Sequence, residues 1–250
     1  MRAKALSRSS MLACALLSIV LVGGSAAADA LDACANAQDP DEAVAGCSTI
    51  IESTWANDEQ LVQAFNNRAN ARSLRGDTGG AIDDYGRALA LAPHYVNARY
   101  NRASLHLEVG KLDQAIADFD VVLRLEPRRA DAMNNRALAL LRAERLDDAI
   151  AGFSDALAAD PANAYAYNNR GVAWRRKGEP ARALADFSAA IELLPDYTGA
   201  LNNRGEVHLV EGNTTLAEAD FCRVLEIDPG HAAAKRNREN LASSRPAARR

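Results

Sequence analysis

Five asparagine–arginine pairs recur in the sequence at a constant spacing of 34 residues. A regular array of amide and guanidinium donors could bind successive groups of a phosphate or glycan polymer, as some helical repeats bind nucleic acid one base at a time. The residues around the pairs indicate whether the pairs bind a ligand or stabilise the fold. The pairs are Asn67-Arg68, Asn101-Arg102, Asn135-Arg136, Asn169-Arg170 and Asn203-Arg204.

Carboxylates favour a structural interpretation of the same arginines. In four repeats an aspartate stands one residue before an aromatic, where a helical hairpin would bring it near the arginine. Gly152 replaces that aspartate in the third repeat, so Arg136 lacks the partner. As exposed ion pairs, each would contribute only about 0.2 to 1 kcal/mol. The expected pairs are Arg68–Asp84, Arg102–Asp118, Arg170–Asp186 and Arg204–Asp220.

Motifs for catalysis and metal binding are absent from the sequence. It contains no Cys-x-x-Cys, His-Glu-x-x-His or Gly-x-Ser-x-Gly motif and no phosphate-binding glycine loop. His106 and His208, two of its four histidines, lie three repeats apart, too far to share one metal. The net charge of −4 argues against a nucleic-acid partner. We therefore expect no enzyme activity, no metal and no cofactor.

The elements that position these residues follow from the same period. Five repeats align without an insertion, each with small residues at its eighth and twentieth places, an aromatic at its twenty-fourth and a proline at its thirty-second. A fixed period of this length is typical of stacked helical repeats, in which neighbouring repeats bury a shared core. The repeats span residues 62–95, 96–129, 130–163, 164–197 and 198–231.

Each repeat is predicted to be a helical hairpin. Small residues on two facing helices let their backbones approach, and the aromatic fills the space beside the contact. A glycine in the left-handed conformation stops the first helix, and the proline ends the second. The turns are at Gly76-Asp77, Gly110-Lys111, Gly178-Glu179 and Gly212-Asn213, whereas Glu144 replaces the glycine in the third repeat.

In these positions the sequence resembles the tetratricopeptide-repeat family over about 170 residues. Gly171, Ala183, Phe187 and Pro195 carry the pattern in the fourth repeat. The resemblance implies an all-α, right-handed α-solenoid of helix-turn-helix hairpins, whose first helices line a concave groove for a peptide or a partner's helix. It also implies that the asparagine before each arginine hydrogen-bonds backbone between repeats. The sequence departs from the family at Arg99 and, in a slot that is usually aromatic, at Arg72, His106, Leu140, Trp174 and His208.

The groove implied by this resemblance is rich in amide and tyrosine side chains, which suit an extended peptide. It has no lysine, so we expect no clamp for a partner's C-terminal carboxylate. Binding by a convex or edge surface is the alternative. The expected lining residues are Asn66, Asn70, Tyr100, Ser104, Leu107, Asn134, Leu138, Arg142, Tyr165, Asn168, Val172, Arg175, Asn202, Glu206 and Leu209.

Residues 1–28 are predicted to be a signal peptide. Arg2, Lys4 and Arg8 precede an apolar stretch at 11–24 that is too short to span a bilayer comfortably, and small residues follow. We expect cleavage after Ala28, with Ala30 as the second choice and an uncleaved anchor as the alternative. Removing three positive charges takes the net charge from −4 to −7. The mature chain would then be periplasmic or secreted, without stable membrane insertion.

Residues 29–61 are predicted to be a truncated repeat closed by a disulfide. Cys34 and Cys47 are nearly equidistant from the turn at Asp39-Pro40, so a hairpin would bring them together. Export permits the bond, and closing this loop could contribute about 3 kcal/mol. Two buried free thiols are the alternative. Cys222 is left over, as a helix residue or as a cysteine for intermolecular pairing.

The last residues are predicted to be a capping helix at 232–242 and a disordered, basic tail at 243–250. The sequence as a whole predicts an exported scaffold that binds a polypeptide, with envelope complex assembly as a possible task. A glycan- or cell-wall-binding solenoid that uses the asparagine and arginine ladder is the alternative. A self-associating structural protein is a third interpretation.

Overall fold

A computed structural model describes residues 26–244, and within that range the chain consists of thirteen helices without a strand. The predicted all-α solenoid of hairpins is confirmed. Nearly all of the predicted signal peptide and of the predicted tail lies outside the described residues, so cleavage, export and tail disorder stay predictions. The right-handed superhelix also stays a prediction.

The helices alternate between the first and second members of successive hairpins. Contacts divide the chain into two compact units, Met1–Leu105 and His106–Arg250, with the boundary inside the fifth helix. The helices are α1 (26–36), α2 (Pro40–Glu52), α3 (Asp58–Leu74), α4 (Thr78–Leu91), α5 (Val96–Glu108), α6 (Leu112–Leu125), α7 (Ala130–Arg142), α8 (Leu146–Ala159), α9 (Ala164–Arg176), α10 (Pro180–Leu193), α11 (Thr198–Val210), α12 (Thr214–Ile227) and α13 (Ala232–Ser244).

Small residues and one aromatic ring form the core of each hairpin. In α9 and α10, Gly171 faces Phe187, and a Cβ atom on Gly171 would lie only 2.7 Å from that ring. Such a contact is closer than packed atoms tolerate, so the glycine allows this ring to lie so close to the backbone of α9. The repeated alanines and aromatics are buried: Ala69, Ala81 and Tyr85 in the first unit, and Ala137, Ala149, Phe153, Ala183, Phe187, Ala217 and Phe221 in the second.

The N-terminal hairpin contains the predicted disulfide. Cys34 in α1 and Cys47 in α2 are bonded, with their Cα atoms 4.6 Å apart. Gly46 lets the helices approach, because a Cβ there would lie 2.8 Å from the Cys34 backbone nitrogen. Around the bond, Ala30, Ile50 and Ala64 pack into one apolar cluster. The cluster joins α1 and α2 to α3, so this short hairpin is held by packing as well as by the covalent bond.

Five turns end first helices with a residue in the left-handed region. Four of these residues are glycines, and the fifth is Glu144, with φ of 57°. The backbone bonds are the same in both cases: Asp77 N–H donates to the Arg72 carbonyl at 2.9 Å, and Arg145 N–H donates to the Leu140 carbonyl at 2.9 Å. The third repeat therefore keeps the turn despite the side chain of Glu144. The glycines are Gly76, Gly110, Gly178 and Gly212.

Helix α13 packs against α11 and α12 at the end of the second unit. Ala234 and Leu241 are its buried residues, in a cluster with Leu201 and Phe221. The helix runs to Ser244, two residues beyond the predicted end at 242. Alanine and serine can continue a helix, and Pro246 is the first residue that disfavours the helical conformation of its predecessor.

Replacing Glu144 with glycine should stabilise the protein. A left-handed conformation costs a side-chain-bearing residue about 1 to 2 kcal/mol, and glycine removes that cost. The ion pair lost to Arg176 (2.9 Å) is exposed and contributes less. We expect the free energy of unfolding to rise by roughly 1 kcal/mol, measured by urea unfolding followed by circular dichroism. Glu144→Gln is the control, which keeps the strain, and a Glu144→Gly variant less stable than wild type would contradict the account.

Candidate peptide-binding groove

Arg68 is bound by a carboxylate of its own hairpin and by a hydroxyl of the preceding one. Its Nε and Nη2 donate to the two oxygens of Asp84, each at 2.8 Å, and its Nη1 donates to Ser48 Oγ at 2.9 Å. Arg72 adds a third bond to Asp84, at 2.7 Å, which explains an arginine in a slot that is usually aromatic. The guanidinium of Arg68 therefore ties three consecutive helices together.

Arg170 and Arg204 repeat this arrangement in the second unit. Each guanidinium makes two parallel bonds to one carboxylate, and its third nitrogen reaches a serine of the preceding hairpin, Ser154 or Ser188. The shared geometry shows that the bonds belong to the repeat and not to one site. The carboxylate distances are 2.8 and 2.7 Å for Arg170 to Asp186, and 3.0 and 2.7 Å for Arg204 to Asp220.

Burial makes these pairs stronger structural elements than exposed ion pairs. The side chain of Asp84 is only 2% exposed and that of Arg68 11%, so the expectation of exposed pairs was wrong for them. Where a buried carboxylate has one arginine only, as Asp186 has, removing that arginine would leave the carboxylate without compensation, which typically costs about 3 to 5 kcal/mol. The hydrogen bond to Asp186 raises the pKa of Arg170, so its charge is fixed. The Arg102–Asp118 pair stays a prediction.

Arg136 has a partner that the sequence pattern did not reveal. Its Nε donates to Asp120 Oδ1 at 2.5 Å, and Asp120 belongs to α6 of the preceding hairpin. Asp120 stands where later repeats have Ser154 and Ser188. The carboxylate has therefore moved from the arginine's own hairpin to the one before it. Gly152 leaves no side chain at the usual position, where a Cβ would lie 3.0 Å from that of Ala137.

The asparagines that precede the arginines link neighbouring hairpins, but mostly through side chains. Asn67 Nδ2 donates to the Cys34 carbonyl at 3.2 Å, which confirms the backbone bond at this position. Asn101 Nδ2 instead donates to Asn70 Oδ1 at 3.3 Å, and Asn203 Nδ2 to Asn168 Oδ1 at 2.9 Å. The backbone expectation was wrong for Asn101 and Asn203, because an amide oxygen of the preceding repeat lies within reach.

In the first unit, the predicted groove residues surround a mostly apolar hollow. Asn70 and Ser104 line it together with Leu74 and Leu105, and its volume is about 320 Å³. The Asn70 amide oxygen accepts bonds from Tyr85 Oη and from Asn101. Asn66 is buried, and its oxygen has no hydrogen-bond partner among the described residues. Tyr100 is partly exposed.

In the second unit, Tyr165 is the most exposed of the predicted aromatic contacts. Its ring is 59% exposed and packs edge-on against Tyr197, with the centroids 5.1 Å apart. Burial and the neighbouring Tyr165 both raise the pKa of Tyr197. Asn134 and Leu138 are partly exposed on α7. No described residue bonds the amide oxygen of Asn134.

The charged groove residues of this unit already have protein partners. Arg142 Nη1 donates to the Leu107 carbonyl at 2.9 Å, and Arg175 pairs with Glu206. Arg176 makes the same kind of bond one repeat later, to the Leu141 carbonyl at 3.4 Å. Arg142 and Arg176 therefore cap carbonyls at the C-terminal end of the first helix of the preceding repeat, where a positive charge is favoured. This role could not be predicted from the sequence pattern, because the bonds connect different repeats.

The remaining groove residues of the second unit differ in how free they are. Asn168 is buried, with both ends of its amide bonded, to Asn169 and to Asn203. Asn202 is buried and donates to Glu206 at 2.8 Å, while its oxygen has no partner among the described residues. Val172 is partly buried against the apolar cluster around Phe187. Asn168 is therefore a structural residue, whereas the exposed ring of Tyr165 is available to a ligand and the unpaired amide oxygen of Asn134 is buried.

The family model of the tetratricopeptide repeat matches the chain in four overlapping stretches, residues 66–130, 100–164, 134–198 and 175–232. Together they cover more than half of the sequence. The chain belongs to the tetratricopeptide-repeat family. No protein of curated function matches its sequence. The membership agrees with the hairpins, the glycine turns and the buried aromatics described above.

Solved structures with the same fold include the following three proteins. MamA from Desulfovibrio magneticus RS-1 is 20% identical, with a TM-score of 0.64 over 69% of this chain and 97% of its own. YrrB, described as a protein with an unusual peptide-binding site, is 21% identical, with a TM-score of 0.60 over 77% and 97%. PilF from Pseudomonas aeruginosa is 18% identical, with a TM-score of 0.65 over 74% and 85%. At these identities the likeness shows the fold.

Two searches of residues 26–244 concern other kinds of site. No helix in this range is both long and apolar enough to cross a bilayer. Histidine, cysteine, aspartate and glutamate side chains nowhere in this range form a group of three or more that could hold a metal ion. Neither finding tests the predicted lack of enzyme activity, which stays a prediction.

Replacing Asp120 with serine should destabilise the third repeat. The variant has the residue found at this place in later repeats but leaves Arg136 without a carboxylate. We expect the free energy of unfolding to fall by about 0.5 to 1 kcal/mol, since both side chains are partly exposed. Ser154→Ala is the matched control and should cost less, because Arg170 keeps Asp186. In a double-mutant cycle with Arg136→Gln, additive losses would contradict the pairing.

Tyr85 should make stability fall at alkaline pH. Burial raises its pKa from 10.0 to about 12, so the unfolded chain loses this proton first. The contribution is complete below pH 10 and is lost as the pH rises to about 12, at roughly 1.4 kcal/mol per pKa unit. Urea unfolding across this range should show a steeper fall for wild type than for Tyr85→Phe. Identical slopes would show that the Tyr85 hydroxyl is not protected in the folded state.

Proposed function

We propose that the chain is an exported scaffold that binds a polypeptide along the groove face of its first helices. The observation that carries the proposal is the neutralisation of Arg68, Arg170 and Arg204, whose guanidinium groups are held by carboxylates. A phosphate or glycan polymer would have to break buried pairs to reach them, at several kcal/mol each. A polypeptide needs no such exchange.

The groups that remain available suit a peptide. Tyr165 offers a rigid ring with a polar tip, a type of side chain enriched at binding hot spots. The amide oxygens of Asn66, Asn134 and Asn202 are buried, have no partner among the described residues and occupy the same place in their repeats. A side-chain rotation would let each accept an N–H from an extended backbone. The reported peptide-binding site of YrrB, a protein of the same fold, is consistent with this use of the face.

Export rests on the basic and apolar residues of segment 1–28 and is supported by the Cys34–Cys47 bond, which is typical of oxidising compartments. Burial favours one cleavage position over the other. Ala30 packs in the cluster of Cys34 and Ile50 and would be lost by cleavage after residue 30. Cleavage after Ala28 keeps it. The mature chain would then serve in the envelope, where we propose that it helps to assemble a complex.

The experiment places a photo-crosslinking amino acid at Tyr165 in the full chain, in cells that produce it. We expect one dominant protein adduct in the envelope fraction, because Tyr165 is exposed on the face that binds. The same amino acid at Leu216, 53% exposed on the second helix α12, is the matched control and should give no such adduct. Adding Asn134→Ala and Tyr165→Ala to a tagged chain should lower partner capture about tenfold or more.

Three other outcomes would contradict the proposal. Equal adducts from Leu216 and Tyr165 would move binding to another face. Crosslinking only in cells from which residues 1–28 are deleted would argue against export. Co-sedimentation of the chain with isolated wall polymer, weakened by salt and unchanged by Tyr165→Ala, would favour a glycan ligand.

A further inference from the structure

The segment 29–61 is strongly acidic. It contains eight carboxylates and no lysine or arginine, a net charge of −8. All eight side chains are exposed, and Asp41 pairs with Arg75 at 2.9 Å. Among the described residues, Glu52, Asp58 and Glu59 have no cationic partner. The carboxylates are Asp29, Asp32, Asp39, Asp41, Glu42, Glu52, Asp58 and Glu59.

An apolar hollow lies within this acidic segment, where α1 packs on α3. Its volume is about 210 Å³, and Leu31, Ile50 and Ala64 form apolar parts of its wall. Glu59 lines the hollow as well, so a carboxylate stands at its edge. A ligand with small apolar side chains next to positive charges would match both features.

Trp55 adds a binding group for arginine. It lies in the connection between α2 and α3, between Glu52 and Asp58, and is 43% exposed. No cation of the described residues lies over its ring, whereas the other tryptophan, Trp174, has the Arg182 guanidinium 4.6 Å from its ring centroid. An arginine can stack on an indole while it bonds a carboxylate, which lysine does less well. We call Leu31, Ile50, Glu52, Trp55, Asp58 and Glu59 the acidic face.

The same chain contains a segment of complementary chemistry. Residues 235–250 contain five arginines, one lysine and one glutamate, a net charge of +5. Lys235, Arg236 and Arg238 are exposed on α13. Beyond the described residues, Pro246, Ala247 and Ala248 stand between Arg245 and Arg249-Arg250 in the sequence. Small apolar residues between arginines are what the hollow and its carboxylates would accept.

We propose that the acidic face binds the basic segment 235–250 of a second copy of this chain. Charges of −8 and +5 attract, an arginine of the segment stacks on Trp55, and the alanines and proline enter the hollow. The contact joins two different surfaces, so a dimer still offers a free basic segment on one copy and a free acidic face on the other. The proposal does not depend on the groove or on the polypeptide bound there.

The first experiment measures the mass of the mature chain, purified after export, by sedimentation equilibrium. At about 50 mM salt we expect a mass that rises above the monomer with concentration, and at about 500 mM salt a monomer, because the attraction is screened. A face variant (Glu52→Gln, Trp55→Ala, Glu59→Gln) should weaken association at least tenfold. A tail variant (Arg236→Gln, Arg238→Gln, truncated after Ser244) should do the same, and Leu216→Ala, the control, should associate as wild type does.

The second experiment mixes the two variants. Each should be monomeric alone, and together they should form a one-to-one dimer, because one keeps the face and the other the tail. Monomers in the mixture, a tail variant that still associates, or a wild-type chain that stays monomeric at low salt would each overturn the proposal. Circular dichroism spectra that match wild type ensure that the variants are folded. A synthetic peptide of residues 242–250 should bind the tail variant and fail to bind the face variant.

Discussion

An aromatic ring can be buried between two helices only if the opposite helix presents almost no side chain. Phe187 and Phe221 meet this condition against Gly171 and Gly205, where a Cβ would lie 2.7 Å from the ring. The close approach of the helices then fixes which longer side chains can meet across the hairpin. Arg170 reaches Asp186 with two parallel bonds because the seam beside it is tight. The packing constraint thus comes first, and the electrostatic geometry follows from it.

Buried arginine–carboxylate pairs in turn limit what the surface can bind. A guanidinium with all its bonds made inside the fold contributes rigidity, and its release would leave a buried negative charge. The apparent ladder of Arg68, Arg170 and Arg204 is therefore part of the stack. The first helices otherwise present amide, tyrosine and aliphatic groups, together with Arg175 and Glu206, which neutralise each other. Such a surface discriminates by hydrogen bonds and shape more than by charge.

Much of this fold could be predicted from the sequence, because the period states which residues face each other. The hairpins, the turn at Glu144 and the Cys34–Cys47 bond follow from spacing alone. The Arg136–Asp120 pair could not be predicted from the pattern, since the arginine turns to the preceding hairpin when its own carboxylate is missing. The Arg142–Leu107 bond was missed for a related reason: a long side chain can reach a backbone carbonyl 35 residues away in sequence. The site is less predictable than the fold because exposure within a repeat depends on the neighbouring repeat.

Charge neutralisation in such a stack depends on neighbours. Arg136 takes its carboxylate from the preceding hairpin, and Arg68 takes a hydroxyl from α2. The segment 29–61 has no arginine of its own, and apart from the Asp41–Arg75 pair its carboxylates have no cation supplied by α3 or α4. Residues that would be paired inside a continuous stack are therefore exposed here together with Trp55. An arginine-rich segment that binds this surface can therefore form ion pairs with these carboxylates and stack on the Trp55 ring.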